Sequence, residues 1–485
     1  MKNVVERISL SPGLEISRVL TGLWQIADME RLGNLDNKEA TKIIHSYVES
    51  GFTTFDMADH YGSAEAISGK FLIEFPGLNS QFLTKWVPQP GPVTREDTRA
   101  AVQRSLERVG VDCIDLLQFH AWNYADPVWL ESLFWLQELK EEGLIGQLGL
   151  TNFDTAHLKM AVRSGIEVVS NQISYSMIDQ RASQDMTEFC QSNQVKLLAY
   201  GTLAGGFLSE KWLGVAEPEA RQLRTWSQMK YKRFIEVSGG WRVFQRVLCR
   251  LHEVALKYDV SVANVAGRYI LEDPAVAGII IGLRIGNREH IVENSKIFSF
   301  ELSEEDRCDI AEASNVLKVI PGDCGNEYRA PPFLTASGDL SHHFEDTPTP
   351  YIKKQLSTKR TVVSSGTSWE DIGGYSRAIR IGDQIWVSGT TATHGSLIVG
   401  GNDPESQAHF VIDKIEGALI SLGGCLQDVF RTRIYLRDIS DWEMVARVHG
   451  KRFGDVAPAN TLIQAGMVGD EYLVEIEVDA LVENN

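Results

Sequence analysis

Up to about residue 282 the chain alternates between two hydrophobic rhythms. Short runs rich in β-branched, aromatic and aliphatic residues fall at 18–23, 53–55, 82–85, 114–119, 146–150, 168–172, 195–200 and 277–281. Between them lie longer stretches, among them 38–49, 98–109, 129–141, 155–164, 182–192 and 261–271, in which apolar residues return every three or four positions. That spacing gives a helix one apolar stripe for a core, and the short runs read as strands. Eight strands alternating with helices predict an α/β fold, a parallel sheet closed into a (β/α)8 TIM barrel. An open, doubly wound sheet is the competitor. It would carry a glycine fingerprint after its first strand, and Thr21-Gly22-Leu23-Trp24 is not one.

Beyond residue 320 the rhythm stops. Pro321, Gly322, Pro331, Pro332, Gly338, Pro348 and Pro350 punctuate a polar stretch without periodicity, which predicts a linker or a tail packed over the barrel. A second pattern starts near Thr361. Strand-like runs at 376–381, 384–387, 429–436, 460–465 and 472–481 alternate with helical runs at 406–422 and 442–453. This predicts a barrel over 1–325, a linker over 326–360 and a compact α+β domain over 361–485.

Composition narrows the function classes. A chain of 485 residues exceeds one ordinary core, and its 43% apolar content is that of soluble globular proteins. A net charge of −18 argues against a nucleic-acid surface, and no apolar run is long enough to span a bilayer. The N-terminal segment has neither the apolar centre of a signal peptide nor the look of a transit peptide. Six cysteines without regular spacing suit reduced thiols in the cytoplasm and no metal site.

The chemistry is expected where the strands end, because the C-terminal ends of barrel strands face the active site. Asp56 and Tyr61 follow the second strand, Lys85 ends the third and His120 follows the fourth. Reducing a carbonyl requires a hydride on carbon and a proton on oxygen. A phenol can give that proton, but its ordinary pKa near 10 makes it slow at neutral pH. A neighbouring ammonium stabilises the phenolate, a carboxylate keeps the ammonium charged, and an imidazole polarises the carbonyl or relays the proton. Taken singly, each of these side chains is an ordinary surface or structural residue; in register on successive strand ends, they suggest one site.

The segment from Phe55 to Gly62, FDMADHYG, resembles the aldo-keto reductase signature, and the Asp56, Tyr61, Lys85, His120 set is similar to that family's catalytic tetrad. The resemblance covers roughly residues 10–320. It implies an NADP(H)-dependent reductase of a small-molecule aldehyde or ketone, with NAD(H) left open. It also implies a nicotinamide site built from Gly22, Leu23, Trp24, Asp56, Thr151, Asn152, Gln172, Tyr200, Gly201, Leu203 and Gly205. Gly282, Arg284, His290, Glu293 and Asn294 would meet the adenosine end, where Arg284 or Arg288 suits a 2′-phosphate. His290 departs from the Arg or Gln of many relatives. Trp24, Trp86 and Trp122 are expected as pocket walls or as packing at the barrel mouth. The basic and aromatic cluster Arg224, Trp226, Lys230, Tyr231, Lys232 and Arg233 is expected as a lid or as a solvated helix face.

The block from Gly374 to Thr390 and the ending around Pro458 to Thr461 and Val474 to Glu477 resemble the Rid family, also called YjgF or endoribonuclease L-PSP. This implies a chorismate-mutase-like fold, a homotrimer, and ligand clefts involving Tyr375, Ser388, Gly389, Asn460 and Glu475. Active members grip a substrate carboxylate with an arginine where this chain has Asn460, and an amide cannot make that bidentate ionic pair. The leading expectation is a carbonyl reductase carrying a trimerising or ligand-binding module. A bifunctional imine hydrolase plus reductase, and a redox-sensing binding protein, are the alternatives.

Overall fold

The computed structural model describes residues 4–24, 37–89, 91–283, 290–329 and 348–483. A closed barrel is formed by strands β1 (Val19–Gly22), β2 (Thr54–Asp56), β3 (Gln81–Trp86), β4 (Ile114–Phe119), β5 (Ile145–Thr151), β6 (Val168–Ser174), β7 (Lys196–Tyr200) and β8 (Val276–Gly282). Each pairs in parallel with the next, and β8 closes on β1. All eight coincide with the predicted runs to within two residues at each end. The barrel helices are α1 (Asn37–Glu49), α2 (Ala64–Glu74), α3 (Arg95–Val109), α4 (Val128–Glu141), α5 (Thr155–Arg163) and α6 (Asp185–Ser192), then α7 (Trp226–Val237), α8 (Trp241–Tyr258) and α9 (Val262–Leu271). Thr94 and Ser261 cap α3 and α9 by accepting from backbone amides, which fixes where those helices begin. An N-terminal hairpin, Arg7–Ser11 against Leu14–Ser17, plugs the barrel floor. Its Leu10, Leu14 and Ile16 pack on the inward-facing Leu20, Leu83, Leu116 and Leu198.

After α10 (Ile291–Ser295) and α11 (Glu304–Ser314), the chain turns back over the barrel mouth and ends there in a single helical turn, α12 (Asn326–Arg329). The C-terminal part is a seven-stranded sheet of order β9-β10-β11-β12-β15-β13-β14. Its strands are β9 (Ile352–Ser357), β10 (Arg360–Ser364), β11 (Ala378–Ile381), β12 (Gln384–Thr391), β13 (Val429–Leu436), β14 (Ala459–Gln464) and β15 (Val474–Leu481). α13 (Ser368–Gly373), α14 (Pro404–Ser421) and α15 (Trp442–Phe453) complete an α+β domain, with α14 and α15 packed together on the sheet. The stretch 326–360, expected as a linker, thus carries α12 at one end and β9 at the other. β9 is exposed at every position, so it shows no buried alternation for a sequence pattern to reveal.

The two parts share one boundary. α14 lies along α5, and a side chain at Gly417 would collide with the carbonyl of Ala125. Glycine is tolerated in mid-helix here because the backbones approach so closely. Lys159 reaches Glu405 at 2.6 Å and Asp403 at 3.2 Å, and Lys451 meets Asp323 at 3.3 Å.

Candidate active site

Parallel barrel strands all leave the sheet at the same end, so the residues at their exits converge. A cavity of about 930 Å³ opens there. Asp56 ends β2, Lys85 sits one residue before the end of β3, His120 follows β4, and Tyr61 stands in the turn before α2. All four line the cavity.

Lys85 and Asp56 are buried together. The ammonium donates to both Asp56 carboxylate oxygens, at 2.8 and 2.7 Å, and to the Met57 carbonyl at 2.8 Å. Burial lowers the Lys85 pKa and the Asp56 charge opposes that fall. These contacts account for all three of its hydrogens. The ammonium also lies 5.1 Å from the centre of the Tyr61 ring, so its positive charge acts on the phenol. The Tyr61 ring is held edge-on by Trp24 at 4.7 Å and by His60 at 4.9 Å. His120 is buried, and burial together with the Arg329 charge pushes its pKa down to about 3, so it is neutral. Its Nδ1 faces the Thr151 carbonyl at 3.3 Å, which can only accept, so Nδ1 carries the proton. Nε2 is left as a buried lone pair without a partner among the described residues.

The expected cofactor residues gather on the same cavity. Gly22, Trp24, Thr151, Asn152, Gln172, Tyr200, Gly201, Leu203, Gly205, Gly282, His290, Glu293 and Asn294 all line it. Leu23 does not. It follows β1 with its side chain fully buried in the hydrophobic core, the alternate direction to that of its neighbour Trp24. Arg284 and Arg288 lie outside the described residues. Asn152 sits in the left-handed region at φ 60, a conformation asparagine tolerates. Its Oδ1 accepts from the Tyr200 hydroxyl at 2.7 Å. The Gln172 amide nitrogen donates to Asp56 at 2.7 Å and to Gln118 at 2.9 Å, tying the cofactor side of the cavity to the Asp56–Lys85 pair.

Residues 18–315 match the model of the aldo/keto reductase family, and residues 355–482 match that of endoribonuclease L-PSP. The chain belongs to the aldo/keto reductase family. It is 28% identical to an aldo-keto reductase of Bacillus subtilis (strain 168), over 66% of this chain and 96% of that protein. It is 25% identical to the NADH-specific methylglyoxal reductase of Escherichia coli (strain K12), over 63% of this chain and 97% of that protein. A solved thermostable aldo-keto reductase superposes with a TM-score of 0.51 at 25% identity, covering 64% of this chain and 99% of that one. As an aldo/keto reductase the chain is an oxidoreductase, and enzymes of this family use nicotinamide cofactors.

Two elements cover the mouth of the reductase barrel. From α7, Trp226, Lys230 and Tyr231 line the cavity, and Trp226 packs 5.9 Å from Trp24. Lys232 turns away to Glu217 and Glu236, each at 2.7 Å, so only one side of the basic cluster faces the site. Tyr231 packs under Gly201, where any side chain would collide with its phenol. α12 brings Tyr328 to within 5.7 Å of His120, and Lys230 donates to its hydroxyl. Neither Tyr328 nor Arg329 is readable from sequence, because both sit in the aperiodic stretch after the barrel. Of the three tryptophans, Trp24 and Trp122 line the cavity, whereas Trp86 is packed on Phe119 in the core.

In the C-terminal domain the expected cleft residues separate into two places. A side chain at Gly389 would collide with the Glu475 carboxylate, and Arg377 donates to the Gly389 carbonyl at 2.9 Å with the Tyr375 ring 5.9 Å away. Ser388 is next to them, its hydroxyl given to Ser376 at 2.9 Å. Burial raises the Glu475 pKa. Asn460 stands elsewhere: it pairs with Thr432 in the register, whereas Glu475 pairs with Tyr435. Its amide donates to Thr432 at 2.8 Å, and Thr432 is 2.9 Å from His449. Arg433 is taken by Glu477 and Asp479, both at 3.1 Å, so it supplies no spare charge.

Proposed function

We propose that the barrel reduces small aldehydes and ketones with NADPH, in the cytoplasm, and that the C-terminal domain assembles the chain into a homotrimer and binds a small ligand. The observation that carries this reading is the convergence of Tyr61, the Asp56–Lys85 pair and His120 on a cavity that also collects the expected cofactor residues. When bound, a nicotinamide supplies the hydride for the carbonyl carbon. The residues present fit such a group: Thr151, Asn152 and Gln172 offer amide and hydroxyl partners for a carboxamide, and Tyr200 and Gly201 offer a flat wall.

The chain's own task is the oxygen. Tyr61 gives its phenolic proton to the carbonyl oxygen, and the Lys85 charge stabilises the phenolate left behind. Asp56 holds that charge in place in a buried site where an unpaired ammonium would lose its proton. His120, with its only proton on Nδ1, holds the nascent hydroxyl by accepting from it. The relatives named for methylglyoxal, glyoxal and 6-dehydroglucose reduction support short, oxygenated aldehydes as substrates.

The test is NADPH oxidation by the purified chain with methylglyoxal, glyoxal and sugar aldehydes. Tyr61→Phe should cut turnover roughly a hundred- to ten-thousandfold while leaving NADPH affinity near wild type. Turnover retained in that variant overturns the assignment. The NADPH preference rests on Arg284 or Arg288, and the double change Arg284→Ala/Arg288→Ala should weaken NADPH binding more than NADH binding. Equal weakening, or a wild-type preference for NADH as in the Escherichia coli relative, overturns it.

A second reading, that the C-terminal domain also hydrolyses an imine, is favoured by Glu475 with its raised pKa beside Gly389 and Arg377. Generating 2-iminobutanoate in situ and following ketone release tests it. No acceleration in wild type or in Asn460→Arg sinks this reading.

A further inference from the structure

The barrel and the C-terminal domain are joined through a stack that ends on the backbone of the active site. Arg329, the last residue of α12, donates to the carbonyl of Ala121 at 3.0 Å and to that of Asn152. Ala121 follows His120, and Asn152 follows Thr151, the residue whose carbonyl His120 meets. One guanidinium therefore straps together the exits of β4 and β5. Its face lies on the Tyr124 ring, 4.4 Å from the centre, and Tyr124 stacks on the His157 imidazole at 3.4 Å and 6°. His157 stands between two carboxylates. Nδ1 faces Asp154 at 2.7 Å and Nε2 faces Asp413 of α14 at 2.9 Å, so both nitrogens donate. Asp413 is held in turn by Arg452 of α15 at 2.6 Å, and Arg452 also pairs with Glu416 at 2.7 Å. The segment leading into α12 is fastened by Lys451 on Asp323 and by Arg181 on Glu327 at 2.9 Å.

We infer that the C-terminal domain is part of the reductase machinery: through Asp413, His157 and Tyr124 it sets Arg329, a positioning residue that fixes Asn152 and the His120–Thr151 pair for cofactor binding. The inference rests on the reductase reading above. It gives the fusion a function that needs no catalysis in the second domain. Arg329 touches neither His120 nor the cofactor residues' side chains through its donated bonds; it acts on their backbone, where a small shift moves every group that follows.

The experiment uses the full chain and four variants: Arg329→Met, Arg329→Lys, Asp413→Asn and the Arg329→Met/Asp413→Asn double. NADPH dissociation constants come from tryptophan fluorescence, KM and kcat from aldehyde reduction. Amide exchange at residues 120–124 and 151–154 is read on the cofactor-free protein. Arg329→Met should raise the NADPH constant roughly two- to thirtyfold, and Arg329→Lys should restore part of it. Asp413→Asn, on the other domain, should shift the same constant in the same direction. It should also speed exchange in both segments, and the double variant should be no worse than Arg329→Met alone. Wild-type affinity and exchange in Asp413→Asn, or additive losses in the double variant, overturn the inference. If Arg329→Met does not fold, Arg329→Lys and Asp413→Asn decide, and wild-type constants in both overturn it. If the wild-type chain itself neither binds NADPH or NADH nor reduces an aldehyde, it is the reductase reading that has failed. Exchange in the cofactor-free variants still reports on the strap.

Discussion

At the scale of single residues, charge in this molecule is controlled by burial and by partners, and the two histidines that matter are driven in opposite directions. His120 is pushed down to about 3 by burial and by Arg329, so it stays neutral throughout the working range. The rate of aldehyde reduction should therefore show no ionisation between about pH 5 and 7 that disappears in His120→Asn, and a limb lost in that variant contradicts the neutral assignment. For His157, burial also lowers the pKa, but Asp154 and Asp413 outweigh it and push the value up to about 9. A folded-state value above the ordinary value of about 6.5 means that the stabilisation is complete below that ordinary value. It is lost as pH rises toward 9. The melting-temperature gap between wild type and His157→Gln should accordingly narrow between these limits, and a gap that widens with pH would contradict the ionic sandwich. That Asp56, Tyr61, Lys85 and His120 meet at one cavity was legible because they are tied to strand exits by short, fixed spacings. The stack from Arg329 to Asp413 was not, because its successive members lie 33 to 256 residues apart in sequence and meet only after both domains form.

At the scale of elements, α14 shows how close approach dictates sequence. A glycine inside a helix costs about 1 kcal/mol against alanine, yet Gly417 sits in the middle of α14, where the backbone passes the Ala125 carbonyl. Gly417→Ala should force α14 away from the Ala125 backbone and destabilise the chain by about 1–3 kcal/mol. Differential scanning calorimetry should then resolve separate barrel and C-terminal transitions, and an unchanged single transition would argue against tight docking. The barrel strands were readable because each is a short run rich in apolar residues set between longer stretches of helical period, as β3, β4 and β5 illustrate. β9 and β10 were not, since β9 is exposed throughout and β10 buries only Val363, and α12 is too short to establish a period.

For the whole molecule, the seven-stranded sheet leaves Ile381, Ile463 and Leu481 exposed. Exposed apolar residues on one sheet face suit burial against another protein surface, here a second copy of the chain. Sedimentation velocity should give a trimer, and Ile463→Glu should shift it toward monomer; a wild-type monomer rejects the assembly. Among the described residues no helix is long and apolar enough to cross a membrane.

Periodicity and strand-end positions alone determined the barrel, the α+β domain and the meeting of Asp56, Tyr61, Lys85 and His120 at one cavity, since these follow from interactions local to one element or repeated in every strand. Tertiary structure decided the rest. It turned Leu23 into the core, selected one side of the α7 cluster, placed Tyr328 and Arg329 at the barrel mouth, and parted Asn460 from Glu475. Each of those outcomes depends on which distant backbone comes near, and on the cost of leaving a buried polar group unpaired once it does. No run of neighbouring residues carries that information.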